Sequence, residues 1–285
     1  MASRAEQKAQ LREERLKREQ AQAAARTQRQ RLLTIGGVVV AAVLIAVIAI
    51  VVSSNSGSKG SGKAAAATQP KSAQTKATDQ RVGALLSGIP QPADNVLGKP
   101  NAPLTIIEYG DLECSVCDQF ALPGTIYASD GQPGSGVEDQ IINNLVRTGK
   151  AKFEYESLQT ATPSTSTFIQ QQVAAYAAGL QGKGWNYVEL FYNEQGQEGS
   201  GYVTSSYLDG IAKQIPGLNY SRWQKDLTLS SLVNQVKAEI ASGTKADNGQ
   251  ASTPTVLVKG AKGETIVAQG IPTYAQVQSA LKAVG

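Results

Sequence analysis

The chain has 285 residues, of which 41% are hydrophobic and 18% charged, with a formal net charge of +4. That length holds one or two domains with a real core, and the basic residues crowd the N-terminus, which bears on membrane orientation rather than on nucleic acid. With no histidine and only two cysteines, the chain excludes a Ser-His-Asp triad, a Cys-His protease dyad and a His-ligated zinc site.

Residues 2–31, ASRAEQKAQLREERLKREQAQAAARTQRQR, are rich in helix formers but have almost no large apolar side chain to bury. They read as a solvated, partly helical tail. Residues 32–52, LLTIGGVVVAAVLIAVIAIVV, carry no charge. A helix of that length crosses a hydrocarbon core of about 30 Å. A cleaved signal peptide is the competing reading, although its apolar stretch is usually only about 7–15 residues. Arg26, Arg29 and Arg31 precede the span, whereas Lys59 and Lys63 follow more sparsely. This asymmetry predicts a cytoplasmic N-terminus and an extracytoplasmic remainder. Residues 53–77 are dominated by Ser, Gly, Ala, Lys, Gln and Thr, a composition that makes a flexible linker.

The folded domain is expected over 78–285. A short helix with Val82, Leu85 and Leu86 on one face should end at Gly88-Ile89-Pro90. Leu104 to Tyr109, LTIIEY, reads as a buried strand. Cys114-Ser115-Val116-Cys117 follows the turn, and a helix is expected from Asp118 onward. Gly131 to Gly136, GQPGSG, has no clear strand before it and reads as a loop rather than a phosphate cradle. Ala151 to Leu158 predicts a second strand. Ile169, Val173, Tyr176 and Leu180 mark one face of a helix. Further helices are expected over Trp185–Tyr192, Thr204–Ile215 and Leu229–Ile240, with Gly217 and Gly243 as punctuation. Thr255–Val258 and Thr265–Ala268 flank Lys259–Gly263 as a hairpin, and Tyr274–Val284 predicts a closing helix. The result is an α/β domain with helices inserted at about 160–245.

Two cysteines placed at random in this length fall three apart in roughly one case in 140, so the spacing asks for a reason. At a strand-to-helix junction, Cys114 meets the unpaired N–H groups and dipole of a helix N-terminus, which favour a thiolate. Cys117, one turn on, can close a small disulfide with it or resolve a mixed one. Three other readings stay open. A structural bridge would close too small a loop to stabilise much. A zinc half-site would need carboxylates for its other ligands. Two inert thiols sit poorly in an oxidising compartment. Glu108, alone within an apolar strand, is costly unless it is functional or paired. Thr253-Pro254 reads locally as a proline opening a strand.

The segment GKPNAPLTIIEYGDLECSVC resembles the DsbA-type branch of the thioredoxin superfamily. So do AAYAAGLQGKGWNYVELFYNEQ and YLDGIAKQIPGLNYSRWQKDL, which are similar to that family's helical insertion, and STPTVLVKG, which is similar to its T-P loop. The resemblance runs from about Asn95 to the C-terminus. It implies a thioredoxin-like fold and a protein-disulfide oxidoreductase or isomerase with Cys114 and Cys117 as the dithiol. It also implies a cis Thr253–Pro254 bond against which an extended substrate pairs, and Glu108 as the proton relay for Cys117. The resemblance further implies action on thiols and disulfides of secreted or envelope proteins and recycling by a DsbB- or VKOR-type membrane partner, and no cofactor is expected, since the sequence has no P-loop and no convincing dinucleotide fingerprint. Members commonly have Pro-His or Pro-Tyr between the cysteines. Ser115-Val116 lacks such a stabiliser, and Glu113 adds a negative charge, so a weaker oxidant is expected. A haem-maturation type reductase fits less well, because Leu112-Glu113 stands where that group usually has Trp. The remaining alternative is a non-catalytic peptide-binding module with Cys114–Cys117 as a static bridge.

Overall fold

A computed structural model describes residues 73–285, apart from 93, 94 and 248. The charged tail at 1–31, the span at 32–52 and the linker as far as residue 72 lie outside the described residues. Among the described residues no helix is long and apolar enough to cross a membrane.

Five strands form one mixed sheet in the order β1-β3-β2-β4-β5. The centre is β2 (Leu104–Gly110), parallel to β3 (Ala151–Ser157) and antiparallel to β4 (Thr255–Gly260). From Ile106 onward every residue of β2 is buried, which is why its sequence is a continuous apolar run rather than an alternation. In register, Glu108 lies between Tyr155 of β3 and Val256 of β4. The edges are β1 (Val96–Leu97), antiparallel to β3, and β5 (Gly263–Gln269), antiparallel to β4. The hairpin turn is tighter than the expected Lys259–Gly263 loop, because Gly260 pairs with Gly263 and only two residues lie between them.

Helix α1 (Ala73–Leu86) begins before Thr78 and takes in residues that composition assigned to the linker. Ala, Gln and Lys there are good helix formers, so composition alone does not separate the two. It ends ahead of Gly88, whose φ of +72° reverses the chain. Helix α2 (Ser115–Ala121) starts at Ser115 rather than at Asp118 and stops before Pro123. Helix α3 (Val137–Ile141) continues into a π-helical turn, Ile142–Val146. Neither this helix nor β1 was expected from the sequence.

Between β3 and β4 come five helices: α4 (Thr165–Gly179), α5 (Gly184–Asn193), α6 (Ser205–Gln214), α7 (Tyr220–Asp226) and α8 (Ser230–Ala246). Side chains of Ser164, Thr204 and Asn219 cap α4, α6 and α7, satisfying N–H groups that the helix itself leaves open. The expected stop at Gly243 does not occur, and α8 runs on past it. A Cβ at Gly243 would lie 2.8 Å from Cδ1 of Tyr109, so this glycine serves close packing of α8 against β2 and not termination. Helix α9 (Tyr274–Val284) closes the chain behind a Thr273–Gln276 capping box. Phe153, Trp185, Phe168, Phe191 and Trp223, all fully buried, join the sheet to the inserted helices.

Candidate active site

The site is assembled where β2 ends. Asp111 fixes the turn, since its carbonyl accepts the Cys114 N–H at 2.9 Å and its Oδ1 accepts the Glu113 N–H at 3.1 Å. Cys114 is then the N-cap of α2, in extended backbone conformation, and its carbonyl accepts the N–H groups of Cys117 and Asp118. Both cysteines are free thiols. Cys114 is 6% exposed and Cys117 is sealed at 0%, so only the first offers its sulfur to an incoming group.

Asp111 does more than shape its own turn. Its Oδ2 accepts the N–H groups of Thr160, Ala161 and Thr162, each at 2.9 Å, and its Oδ1 accepts the Thr162 hydroxyl at 2.6 Å. This holds the segment after β3 beside Thr253, where the hydroxyls of Thr160 and Thr253 meet. The Thr253–Pro254 bond is cis, as the resemblance implies. The Cys114 thiol donates to the Thr253 carbonyl at 3.6 Å. The five residues singled out in the sequence thus occupy one neighbourhood.

The two thiols are driven apart electrostatically. Cys114 is lowered from its ordinary range, first by a hydrogen bond from Cys117 and then, against opposing burial, by the Thr253 side chain and the N–H groups of Cys117 and Val116. Cys117 is pushed well up, chiefly by burial and then by its bond to Cys114 and the charges of Cys114 and Glu108. An acidified thiol at the edge of the fold beside a fully buried, protonated one suits thiol exchange, since the thiolate is the nucleophile.

Glu108 is fully buried and is pushed up to about 8, mostly by burial. A hydrogen bond from Tyr192 to its Oε1, at 3.3 Å, opposes that shift, while the charges of Glu189 and Cys114 add to it.

Sequence reasoning placed Glu113 as a charge acting on Cys114. In the structure Glu113 is 1% exposed and its Oε1 accepts the Gly199 N–H at 3.2 Å. Burial raises its own carboxyl. The acid that does reach the start of α2 is Glu198, whose Oε2 binds Ser115. Glu198, Thr160 and Tyr192 were not foreseen, because each arrives through a long-range contact, and so does the hold of Asp111 on Thr160 to Thr162. Among the described residues no cluster of potential ligands could hold a metal ion.

Known proteins share this architecture. The chain is 24% identical over 168 residues to disulfide bond formation protein D of Bacillus subtilis, covering 57% of this chain and 66% of that protein. It is 26% identical over 179 residues to Na(+)/H(+) antiporter NhaA 1 of Mycolicibacterium gilvum, covering 62% of this chain and 25% of the antiporter. The chain therefore spans less than two thirds of either curated relative. Among solved structures, oxidised BdbD from Bacillus subtilis superposes with a TM-score of 0.53 at 20% identity, covering 68% of this chain and 96% of that one. Chlamydia trachomatis DsbA gives 0.51 at 20% identity, covering 66% and 90%. These neighbours bear out the DsbA-type fold expected from the sequence. The thioredoxin model matches residues 91–283, about two thirds of the chain, and on that match this protein belongs to the thioredoxin family, with the fold of its DsbA-type members.

Proposed function

We propose that this chain is an extracytoplasmic thiol–disulfide oxidoreductase, held to the cell membrane by residues 32–52, that acts on cysteines of secreted or envelope proteins. The observation that carries the reading is the opposed pair: Cys114, bonded to the Thr253 carbonyl, is lowered, and the fully buried Cys117 is pushed well up. The Thr253 carbonyl beside the Cys114 sulfur supports it, since an extended peptide could add to that backbone.

In the oxidising direction a substrate thiolate attacks Cys114 Sγ of the Cys114–Cys117 disulfide. The S–S bond breaks, its electron pair leaves on Cys117, and Glu108 supplies the proton that this buried sulfur needs. A second substrate thiolate attacks the substrate sulfur of the mixed disulfide and displaces Cys114, leaving substrate oxidised and the dithiol reduced. Run backwards, the same steps reduce or isomerise a disulfide. A membrane partner of the DsbB or VKOR type would return the dithiol to its working state. No cofactor enters this chemistry.

The test is equilibration of the full-length protein in detergent with glutathione buffers of graded ratio, read by thiol trapping, with Cys114→Ser as control. Ready exchange, with selective alkylation of Cys114 after reduction, is expected. A bridge that does not exchange would replace this reading with the static, peptide-binding one. The potential obtained then assigns the direction of electron flow: well above the glutathione pool for an oxidase, near thioredoxin for a reductase.

A further inference from the structure

A second group of acids gathers around Glu108, whose charge reaches Cys117. Glu108 from β2, Glu138 from α3 and Glu189 from α5 are each 0% exposed. Among the described residues no N–H or hydroxyl donor reaches Glu108 Oε2, either oxygen of Glu138, or Glu189 Oε1. Among the described residues the cation paired with this group is Arg81 of α1. Its guanidinium binds Glu189 Oε2 at 3.0 Å and Asn193 Oδ1 at 2.8 Å, and it lies 3.6 Å from Asp139. Tyr192, one turn after Glu189 on α5, joins the group to Glu108.

One guanidinium compensates at most one of three buried carboxylates, so the others hold protons. A protonated carboxyl also supplies the O–H donor that facing carboxylates lack. Glu138 and Glu189 are within hydrogen-bonding reach of each other, and Glu138 also feels the charge of Glu108. The Arg81 and Asp139 side chains are 17% and 28% exposed, and there the line meets solvent.

We propose that Glu138 and Glu189 extend Glu108 into a buried proton-transfer line, oriented and charge-balanced by Arg81, that serves Cys117 and takes its protons from water at the α1 end. When the disulfide is reduced, Cys117 leaves as a thiolate and takes a proton from Glu108. Glu138 and Glu189 then pass one inward from the Arg81 end. Formation of the disulfide sends the proton back. Substrate can therefore cover Cys114 while protons move on the other side. This inference rests on the thiol-exchange reading. The titratable groups around Glu108 are Cys114 at the N-cap and Cys117 in α2, Tyr155 of β3, Glu138 of α3, and Glu189 and Tyr192 of α5, and Arg81 and Asp139 stand at the far end, beside Glu189 and each other.

The experiment follows the rate of disulfide reduction by glutathione across pH in the full-length protein. Arg81→Met should move the inflection of the profile up, and Glu189→Gln should move it down, each by about one unit. Arg81→Lys should restore the wild-type position, and Glu138→Gln should slow the step several-fold. Profiles that shift only in Glu108→Gln would overturn the line and leave Glu108 acting alone. Absence of exchange in the wild type would instead sink the functional reading. Should the variants not fold, reduced-minus-oxidised infrared spectra of the wild type decide the matter. More than one responding carboxyl band is expected, and a single band would overturn the proposal.

Discussion

Oε2 of Glu198 accepts both the backbone N–H of Ser115, at 3.0 Å, and the Ser115 hydroxyl, at 2.8 Å. A carboxylate from the segment between α5 and α6 thus sits at the first amide of α2, next to Cys114. Any negative charge there competes with the thiolate for the same positive end of the helix. Glu198→Gln keeps an acceptor for Ser115 and removes the charge, so the fold of the turn should survive. The Cys114 pKa is expected to fall by a few tenths of a unit, as suits an exposed pair. The pH dependence of iodoacetamide labelling measures it, and an unchanged or higher pKa would show that Glu198 only anchors the loop.

Val116 is 37% exposed on the first turn of α2, immediately after Ser115. It contributes a backbone N–H to Cys114 but no charge. Val116→His would place an imidazolium beside the thiolate and lower the Cys114 pKa by about one unit. A stabilised reduced form makes a stronger oxidant, and one unit corresponds to roughly 30 mV in a two-electron couple. Glutathione equilibration of the two proteins should show the variant at the higher potential.

The sequence made some of this legible and hid the rest, for physical reasons. A continuous apolar run marked β2, and apolar patterning marked β3 and the helices α4, α5, α6 and α8, whereas the short α7 was not expected from the pattern. The spacing of Cys114 and Cys117, and the acid Glu108 in an apolar strand, are local signals that survive without any partner in view. Helix α3 had a usable signal in Val137, Ile141, Ile142, Leu145 and Val146, but it follows directly on the glycine-rich loop and switches to a π-helical turn. Strand β1 is two residues long and carries no period. Gly243 was misread because a glycine that allows close packing and one that ends a helix look the same in a sequence. Asp111 organises the site through Thr160 to Thr162 and Gln171, about 50 to 60 residues on, which no local pattern reveals. The burial of Glu113 was hidden in the same way, since its partner Gly199 lies 86 residues on.

Burial of Glu108 has a consequence for stability. Its carboxyl titrates at about 8 in the folded chain, against an ordinary value of 4.5. The folded state therefore holds a proton that the unfolded state releases between those values. Where the folded state binds more protons, stability falls as pH rises. The contribution is full below about 4.5 and is lost as pH climbs to about 8. Glu138 is raised in the same direction by the same cause. The melting temperature of the reduced wild-type protein should fall from about pH 5 to about pH 8, and Glu108→Gln should flatten that slope. Near pH 5 the two should melt together, while near pH 8 the variant should be the more stable by up to a few kcal/mol. Parallel slopes would mean that Glu108 stays ionised throughout.

Gly243 decides how closely α8 approaches the sheet. A Cβ there would lie 2.8 Å and 3.3 Å from two ring carbons of Tyr109 and 3.4 Å from Leu158 Cδ1. Gly243→Ala gains about 1 kcal/mol of helix propensity. Against that, forcing a methyl group into a packed contact costs roughly 1–3 kcal/mol. Tyr109 is 3% exposed in the central strand and cannot swing away cheaply. Packing should win, with a net loss of about 1 kcal/mol in urea unfolding. The signature that separates this cause from a general loss of helix is coupling: Gly243→Ala placed on Tyr109→Leu should cost less than it does alone. Equal costs in the two backgrounds would mean that the ring is not what excludes a side chain at 243, and that the glycine is tolerated in α8 rather than required by it.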